Sequence, residues 1–347
     1  MLNRMLLLAA ASLLAFSGMQ RARAQSDVVY INSSGGVLDD VFRKVDWDPF
    51  TKATGIRVIN SAPVDNAKLR AMVLSGNTEW DVTEIDGGDF PRGIKQGLLQ
   101  KLDLQQLPTK DMVEGSFNDY GVWDGPYSTI LTWNTDIWPL TGKHPTSLMD
   151  LWNQQDFPGP RCIRKDAIDN IEFGALHAGV PRNGVYPVDQ DKAYKELDKL
   201  KPNVAVWWTT GAQSVQVLVN RDCVMGTAWN GRPYQLVVRD GAHLGVAWED
   251  AVLHMAWWVI PKGAKHSDAA LKLIAFMQDP QRQAASAKES GYAGGNSHDA
   301  DYLPENVRDF LATTPAHVGV SVSANDEWWD ANAVAAERRF TSWVIGQ

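Results

Sequence analysis

The sequence is poor in cysteine and lacks the signature motifs of the common enzyme classes. Cys162 and Cys223 are its only cysteines, and its seven histidines are scattered rather than placed at metal-ligand spacing, which argues against a structural zinc site. The His-Glu-x-x-His and Gly-x-Ser-x-Gly motifs, a phosphate-binding Gly-Lys-Ser/Thr loop and the nicotinamide fingerprint are missing. We therefore expect no metal, no cofactor and no enzymatic activity. A hydrolase with a Ser/His/Asp triad assembled by folding stays open, because sequence order does not define a triad.

The sequence also lacks an apolar run long enough to span a membrane. The run at residues 5–16 is about 12 residues long, whereas a spanning helix needs roughly 20. Arg4 precedes this run and the small-x-small triplet Ala22-Arg23-Ala24 follows it, which is the pattern of a cleaved export signal. We therefore predict a signal peptide over residues 1–24 and a periplasmic location. No cysteine stands at the predicted cleavage site after the apolar run, so we expect no lipid anchor.

Charge and length restrict the partners and the architecture. The formal net charge is −8, which repels nucleic acid and suits a cationic or neutral partner. We expect a small-molecule ligand and no nucleic acid. A mature chain of about 320 residues exceeds what one core usually organises, so two lobes are expected. In an oxidising compartment Cys162 and Cys223 either form one disulfide or stay two buried thiols, since sequence does not give the distance between their Cα atoms.

Strand and helix patterns alternate along the chain. Residues 28–31 form a β-branched run, residues 37–54 have a helical pattern, and residues 56–59 predict a second strand, which together open a parallel sheet. Gly55 is predicted to cap the helix, because glycine accepts the left-handed conformation without a Cβ penalty. Residues 267–277 predict an amphipathic helix. No flexible linker separates the halves, which favours two α/β lobes joined by crossing strands.

Six short segments share their order and spacing with one protein family. They are residues 50–58, 79–82, 227–231, 257–263 and 270–276, and the pair Gly291-Tyr292. Each alone is a commonplace helix or strand, but together they resemble the extracellular solute-binding proteins of ABC importers, family 1, in their spermidine/putrescine-binding branch. The resemblance implies a bilobed periplasmic-binding-protein fold of type II, with a ligand cleft between two α/β lobes.

The resemblance also implies a cleft of aromatic walls and carboxylates. An ammonium group gains about 0.5 to 2 kcal/mol over an aromatic face, and a nearby carboxylate adds an ionic hydrogen bond. Trp229 matches the family's cleft tryptophan and Tyr292 its cleft tyrosine. Trp229 also ends a predicted strand, at the edge where open α/β sheets bind ligands, although an indole serves equally in a core. Asp86 matches a cleft serine at a strand end.

Several positions depart from the polyamine-binding pattern. Ala256 stands where the resemblance implies the principal amine-binding aspartate, and His254 stands where it implies a tryptophan. Asp169 lies between Ala167 and Asn170, the positions nearest to the family's paired acids, and Trp329 replaces a tail glutamine. These departures indicate a ligand other than spermidine.

Two glycine-containing loops precede predicted helices. Ser34 and Gly35 belong to a Ser-Ser-Gly-Gly loop, and Gln213 follows the similar segment Thr210-Gly211-Ala212. Such loops offer free N–H groups to a carboxylate or a neutral polar group, or simply make turns. With Trp229 and Asp86 they suggest a ligand that has both an amine and a carboxylate or amide. Tyr127 and Trp133 are further candidates for cleft walls, with core packing as the alternative.

These observations predict a solute-binding protein that captures a small polar, amine-containing, polyamine-like solute. Closure of the lobes would present the cargo to an ABC permease in the inner membrane, and the protein is expected to be a monomer. An amino-acid derivative, a thiamine-like cation or an organic acid are alternative cargoes. A chemoreceptor-coupled sensor or a periplasmic hydrolase are alternative functions. Hinge crossings are predicted at residues 130–133 and 259–261. The predicted lobes are residues 26–130 plus 262–312, and residues 131–261 plus 313–347.

Overall fold

The computed structural model describes residues 28–346, and the predicted signal peptide at residues 1–24 lies outside them. Within this range, twelve strands form two six-stranded sheets. In chain order the strands are β1 Val28–Asn32, β2 Arg57–Ser61, β3 Val82–Asp86, β4 Phe117–Asn118, β5 Gly121–Trp123, β6 Tyr127–Asn134, β7 Arg161–Arg164, β8 Val204–Trp208, β9 Met225–Trp229, β10 Leu244–His254, β11 Ala256–Val259 and β12 Val322–Ser323.

Helices cover both sheets. In chain order they are α1 Val37–Phe42, α2 Asp48–Thr54, α3 Asn66–Leu74, α4 Asp89–Lys95, α5 Ala167–His177, α6 Gln190–Leu200, α7 Gly211–Val219, α8 Gly231–Tyr234, α9 Ser267–Met277, α10 Pro280–Ser290, α11 Glu305–Arg308, α12 Pro315–Val320 and α13 Asp326–Ile345. The π-helical turn Arg43–Trp47 joins α1 to α2. No helix within residues 28–346 combines the length and apolar character that a membrane crossing requires.

The first sheet has the strand order β2-β1-β3-β11-β5-β4. Parallel pairing of β1 with β2 and β3 confirms the predicted opening of a parallel sheet. Gly55 ends α2 with a φ of 77°, and its N–H donates to the Thr51 carbonyl at 2.8 Å, so the predicted cap is confirmed. A core that includes Val29, Trp47 and Trp258 lies between this sheet and helices α2 and α9.

The second sheet has the strand order β12-β10-β6-β9-β7-β8. Its central strand β6 pairs antiparallel with both β10 and β9, and a separate core forms around Ile130, Ile163 and Val252. Cys162 of β7 and Cys223 form a disulfide with Cα atoms 5.9 Å apart. Each sheet therefore has its own hydrophobic core, which makes the molecule bilobed.

Strand pairing corrects the predicted boundaries between the lobes. Residues 127–130 belong to β6 in the second sheet, and β11 pairs with β3 and β5 in the first. The chain therefore crosses between the lobes at residues 124–126 and at Met255, rather than at residues 130–133 and 259–261. Both strands are continuous buried runs, so their sequences do not reveal which sheet they join.

Ion pairs also link the lobes. Helix α13 packs on the second lobe through Ala336 and Phe340, yet its Asp330 contacts helix α4 of the first lobe. The Asp330 carboxylate lies 3.0 Å from Arg92 Nε and 2.8 Å from Lys95 Nζ. The two lobes thus meet at α4 and α13.

Candidate functional site

A cavity of about 640 Å³ lies between the lobes. The first lobe contributes the ends of β3 and β5, the loop before α1 and the segment after α10. The second contributes the start of β6, the ends of β7 and β9, and the start of α7. Carboxyl ends of strands in open α/β sheets are the usual place for ligands, so this cavity is the candidate site.

Carboxylates line the first-lobe wall. Asp86 ends β3 and Asp124 follows β5, and within residues 28–346 neither side chain has a hydrogen-bond or ion-pair partner. Burial raises the pKa of Asp86, and the charges of Arg164 and His254 lower it by less. Burial, followed by the charges of Glu84 and Asp86, raises the pKa of Asp124 well above its usual range. An ammonium group between these carboxylates would relieve both the desolvation and the repulsion.

Glu84 is held by the loop that precedes α1. The Ser34 hydroxyl donates to Glu84, and the Ser34 N–H donates to Glu84 Oε2 at 2.9 Å. The Gly35 N–H donates to Asp39 Oδ1 at 3.0 Å. Ser34 and Gly35 line the cavity. Their N–H groups already donate to Glu84 and Asp39, so they are not free donors for a ligand. Burial and Asp86 raise the pKa of Glu84 to about 7.

Two arginines face the carboxylates from the second lobe. Arg164 ends β7 and pairs with Asp166 at 3.0 Å and Asp169 at 3.2 Å. Burial lowers the pKa of Arg164, but the two aspartates raise it by more, so the group stays charged. Arg232 of α8 has no hydrogen-bond or ion-pair partner in the described chain, and its Nε is buried. An unpaired guanidinium is a fork-shaped donor for a carboxylate.

The start of α7 lies against Arg232. A Cβ at Gly211 would lie 2.4 Å from Arg232 Nε, so only glycine fits there. The N–H groups of Gly211 and Ala212 belong to the first turn and have no intrahelical acceptor, which adds positive potential beside the guanidinium. The side chain of Gln213 turns back, and its Oε1 accepts from the Thr209 N–H at 2.9 Å. Gln213 therefore caps this turn and does not line the cavity.

Aromatic rings close the sides of the cavity. Trp229 packs edge-on against Trp208 and Tyr127, with ring centres 5.5 Å and 5.9 Å apart. The guanidinium of Arg164 lies 5.3 Å from the ring centre of Trp229. Tyr292 comes from the first lobe and packs on Gly231 of the second. A Cβ at Gly231 would lie 2.4 Å from the Tyr292 ring. Trp229, Tyr127 and Tyr292 all line the cavity.

Asp169 and His254 lie one layer behind the cavity wall. Asp169 is fully buried, and its carboxylate accepts from Thr129 at 2.8 Å and lies 2.6 Å from His254 Nε2. Burial raises the pKa of Asp169, but His254 and Arg164 bring it below its usual range. His254 stacks on Tyr127 with ring centres 4.9 Å apart. Both residues were predicted to contact the ligand, but neither lines the cavity; Asp169 pairs with Arg164 and His254 stacks on Tyr127.

Trp329 and Trp133 also lie away from the cavity. The Trp329 Nε1–H donates to Glu172 at 2.9 Å and to the Tyr186 hydroxyl at 3.1 Å, which fixes the indole inside the second lobe. Trp133 is buried and stacks on His144 with ring centres 5.4 Å apart. The predicted ligand contact of Trp329 and the cleft-wall alternative for Trp133 are therefore replaced by core packing.

The sequence interpretation missed the charged residues that dominate the cavity. Arg164, Arg232, Glu84 and Asp124 were not singled out, although each lies within two residues of a strand end or in a helix that follows one. That position at the edge of a sheet is the signal that could have found them. Polar residues at the ends of buried strands therefore carry more information here than the conspicuous tryptophans.

A second cavity, of about 970 Å³, lies within the second lobe alone. Its main charged group, Arg182, pairs with Glu249 and lies 2.9 Å from Asp250. Closure of the lobes would not enclose this cavity, and its guanidinium already has two partners. Within residues 28–346 no cluster of histidine, cysteine and carboxylate side chains has the arrangement of a metal site.

Comparison with known proteins agrees with the fold. Residues 47–309 match the family model described as bacterial extracellular solute-binding protein. The gamma-aminobutyric acid-binding protein of Pseudomonas aeruginosa PAO1 is 30% identical over 330 residues, which cover 93% of this chain and 92% of that protein. The spermidine/putrescine-binding periplasmic protein of Escherichia coli K12 is 28% identical over 295 residues, 81% of each chain.

Solved structures give the same result. The structure of a receptor for gamma-aminobutyric acid superposes with a TM-score of 0.83 at 30% identity, and the match covers 91% of this chain and 97% of that one. The resemblance to substrate-binding proteins of ABC importers and the bilobed α/β fold are thereby confirmed. The chain belongs to the family of bacterial extracellular solute-binding proteins.

Proposed function

We propose that this protein is the periplasmic solute-binding component of an ABC importer and that its cargo is a small zwitterion with an amine at one end and a carboxylate at the other. The observation that carries the proposal is the opposition of charge across the cavity. Among residues 28–346, Asp86 and Asp124 of the first lobe have no hydrogen-bond or ion-pair partner for their side chains, and neither does Arg232 of the second. A zwitterion satisfies all of them at once, whereas a diamine leaves the guanidinium unpaired and desolvated, which is costly.

Lobe closure follows from the same arrangement. The amine anchor lies on one lobe and the carboxylate anchor on the other, so a ligand that spans both binds the closed state better than the open one. A ligand shifts a conformational equilibrium only by such differential affinity. The closed form is the one that a permease would accept, and the cargo leaves chemically unchanged. The name of the relative that binds gamma-aminobutyric acid supports a cargo of this class.

Three matched four-carbon compounds test the proposal. 4-Aminobutanoate has both charged ends, 1,4-diaminobutane has two amines, and butanoate has one carboxylate. We expect 4-aminobutanoate to bind most tightly in calorimetric titrations and to stabilise the protein by about 2.7 kcal/mol at 100 times its Kd. Recovery of the unchanged compound would support a carrier. Tighter binding of the diamine, or no binding of any of the three, would contradict the zwitterion proposal.

A further inference from the structure

Part of the cavity wall comes from first-lobe residues other than the carboxylates that end β3 and follow β5. This part, here called the inner chamber, is lined only by first-lobe residues and lies against the core around Trp258. It is formed by the end of α1, the π-helical turn that follows, the end of α9 and helix α10. Its walls are Phe42, Asp46, Trp258, Met277, Gln283 and Ser286.

Asp46 is a carboxyl group without an adequate partner. It is 3% exposed, and within the described chain its Oδ1 accepts no hydrogen bond. Its Oδ2 accepts one long hydrogen bond, 3.3 Å, from Ser286. The charge of Arg282 lowers the pKa of Asp46 in part, but within the described residues the two side chains form no ion pair, and the guanidinium donates to the Val45 carbonyl at 2.7 Å. Buried polar atoms are normally satisfied, and an unsatisfied one requires an explanation.

The backbone around Asp46 is also unusual. The segment Arg43–Trp47 is a π-helical turn between two α-helices. Such turns are rare and occur frequently at functional sites. The turn widens the helix where Asp46 lines the chamber. Burial raises the pKa of Asp46 to about 7, although the nearby charge of Arg282 and the hydrogen bond from Ser286 lower it in part.

The other walls suit an alkyl chain that ends in a cation. Phe42, Trp258 and Met277 supply apolar surface, and an aromatic face also attracts an ammonium group. Gln283 is satisfied by Gln278 and Asn296, so it forms a fixed polar wall. The whole cavity of about 640 Å³ is several times larger than 4-aminobutanoate, which replaces roughly four waters at about 30 Å³ each. The short zwitterion therefore leaves the chamber to another group.

We infer that the inner chamber is a subsite for the distal ammonium of a longer cargo, and that Asp46 is its anion. Such a cargo carries a carboxylate at one end, an amine near the middle and a second amine at the end of an alkyl arm. The inference rests on the proposed function, because the carboxylate and the first amine occupy the sites assigned there. It narrows the substrate class to monocarboxylates with two separated cationic nitrogens.

Three probe compounds separate the effect of a longer alkyl arm from the effect of the charged amine at its end. The first is 4-aminobutanoate, the second is N-butyl-4-aminobutanoate, and the third is N-(4-aminobutyl)-4-aminobutanoate, which differs from the second only by its terminal amine. We expect the third to bind the purified protein at least about tenfold more tightly than the second, which corresponds to about 1.4 kcal/mol. Equal or weaker binding of the third probe would overturn the inference without any variant.

Two variants and a control locate the effect. Asp46→Asn should remove the advantage of the terminal amine and change the affinity for the other two probes less than about twofold. Ser286→Leu should fill the chamber and exclude both long probes while 4-aminobutanoate still binds, which keeps the test open if Asp46→Asn misfolds. Asp48→Asn, an exposed neighbour on α2, is the charge-matched control.

The outcomes distinguish the two proposals. Binding of 4-aminobutanoate without a preference for the terminal amine overturns the inner subsite alone. An equal effect of Asp46→Asn on all three probes also overturns it, because the residue would then act on the fold and not on the distal amine. Failure of all three probes to bind overturns the zwitterion site, and the inner subsite with it.

Discussion

Ala256 lies directly opposite Asp86 in the ladder between β11 and β3. Opposite residues on an antiparallel pair point to the same face, with Cβ atoms about 4.5 to 5.5 Å apart, and both residues line the cavity. The carbonyl of Ala256 also accepts from the Asp124 N–H at 2.9 Å. Position 256, where the family resemblance implies a carboxylate, therefore lies beside Asp86 of β3 and Asp124, which follows β5, and the proposed amine site uses these two carboxylates instead.

Exchange of the carboxylate between the two strands tests this relationship. Asp86→Ala should weaken binding of 4-aminobutanoate about tenfold or more, because a hydrogen bond to a charged group contributes about 1.5 to 3 kcal/mol. Adding Ala256→Asp in the same chain should recover part of the affinity, since the new carboxylate faces the same part of the cavity. Calorimetric Kd values of 4-aminobutanoate for the parent, the single variant and the double variant would measure this recovery of affinity. A double variant as weak as Asp86→Ala would contradict the shared position.

Arg232 should set the preference for a carboxylate. Arg232→Gln removes a guanidinium that has no ion-pair partner among residues 28–346, so we expect 4-aminobutanoate to lose about tenfold or more in affinity while 1,4-diaminobutane binds as well as before or better. The ratio of the two Kd values is the measurement. Arg221→Gln is the control, because Arg221 is an exposed partner of Asp136 at 2.7 Å, on the surface of the second lobe. An unchanged ratio in Arg232→Gln would place the carboxylate elsewhere.

Local patterns sufficed to predict much of the fold. The βαβ opening, the cap at Gly55 and the helix at residues 267–277 depend on neighbours a few positions apart, and all three are present. The assignment of β11 to a sheet depends on pairing with β3, about 170 residues earlier in the chain. Periodicity carries no such long-range information, so the predicted lobe boundaries were displaced.

The site was harder to predict for the same reason. Trp229, Tyr292 and Asp86 line the cavity. They could be predicted because each matches a cleft position of the family and stands at or just after the end of a helix or strand. Whether a group is free for a ligand depends on partners far along the chain. Asp169 is hydrogen-bonded to His254, 85 residues away. The N–H of Ser34 donates to Glu84, 50 residues away. In the part of the chain that the structure describes, Arg232 has no hydrogen-bond or ion-pair partner, which only the tertiary structure reveals.

The ion pairs between α4 and α13 should favour the closed state. Asp330 contacts both Arg92 and Lys95 of the other lobe, so Asp330→Asn removes two attractions that exist only when the lobes meet. Surface pairs contribute about 0 to 1 kcal/mol each, and we expect affinity for 4-aminobutanoate to fall about two- to fivefold, with a weaker dependence on salt. Asp191→Asn is the matched control, since Asp191 pairs with Arg339 within one lobe at 2.8 Å. Equal losses in both variants would contradict a role in closure.

Glu172 should make stability decrease as the pH rises. It is fully buried, its Oε1 accepts from Tyr186 at 2.6 Å, and its Oε2 has no partner in the described chain. Burial raises its pKa from 4.5 to about 7. The folded state therefore holds a proton that the unfolded chain releases, so stability present below pH 4.5 is lost as the pH approaches 7, by at most about 3 kcal/mol.

Glu172→Gln keeps the acceptor and stays neutral. The Tm of this variant, measured between pH 5 and pH 8, should therefore vary less with pH than the Tm of the parent. Glu305→Gln, an exposed control, should retain the parent's profile, and an unchanged slope in Glu172→Gln would show that another group carries the dependence.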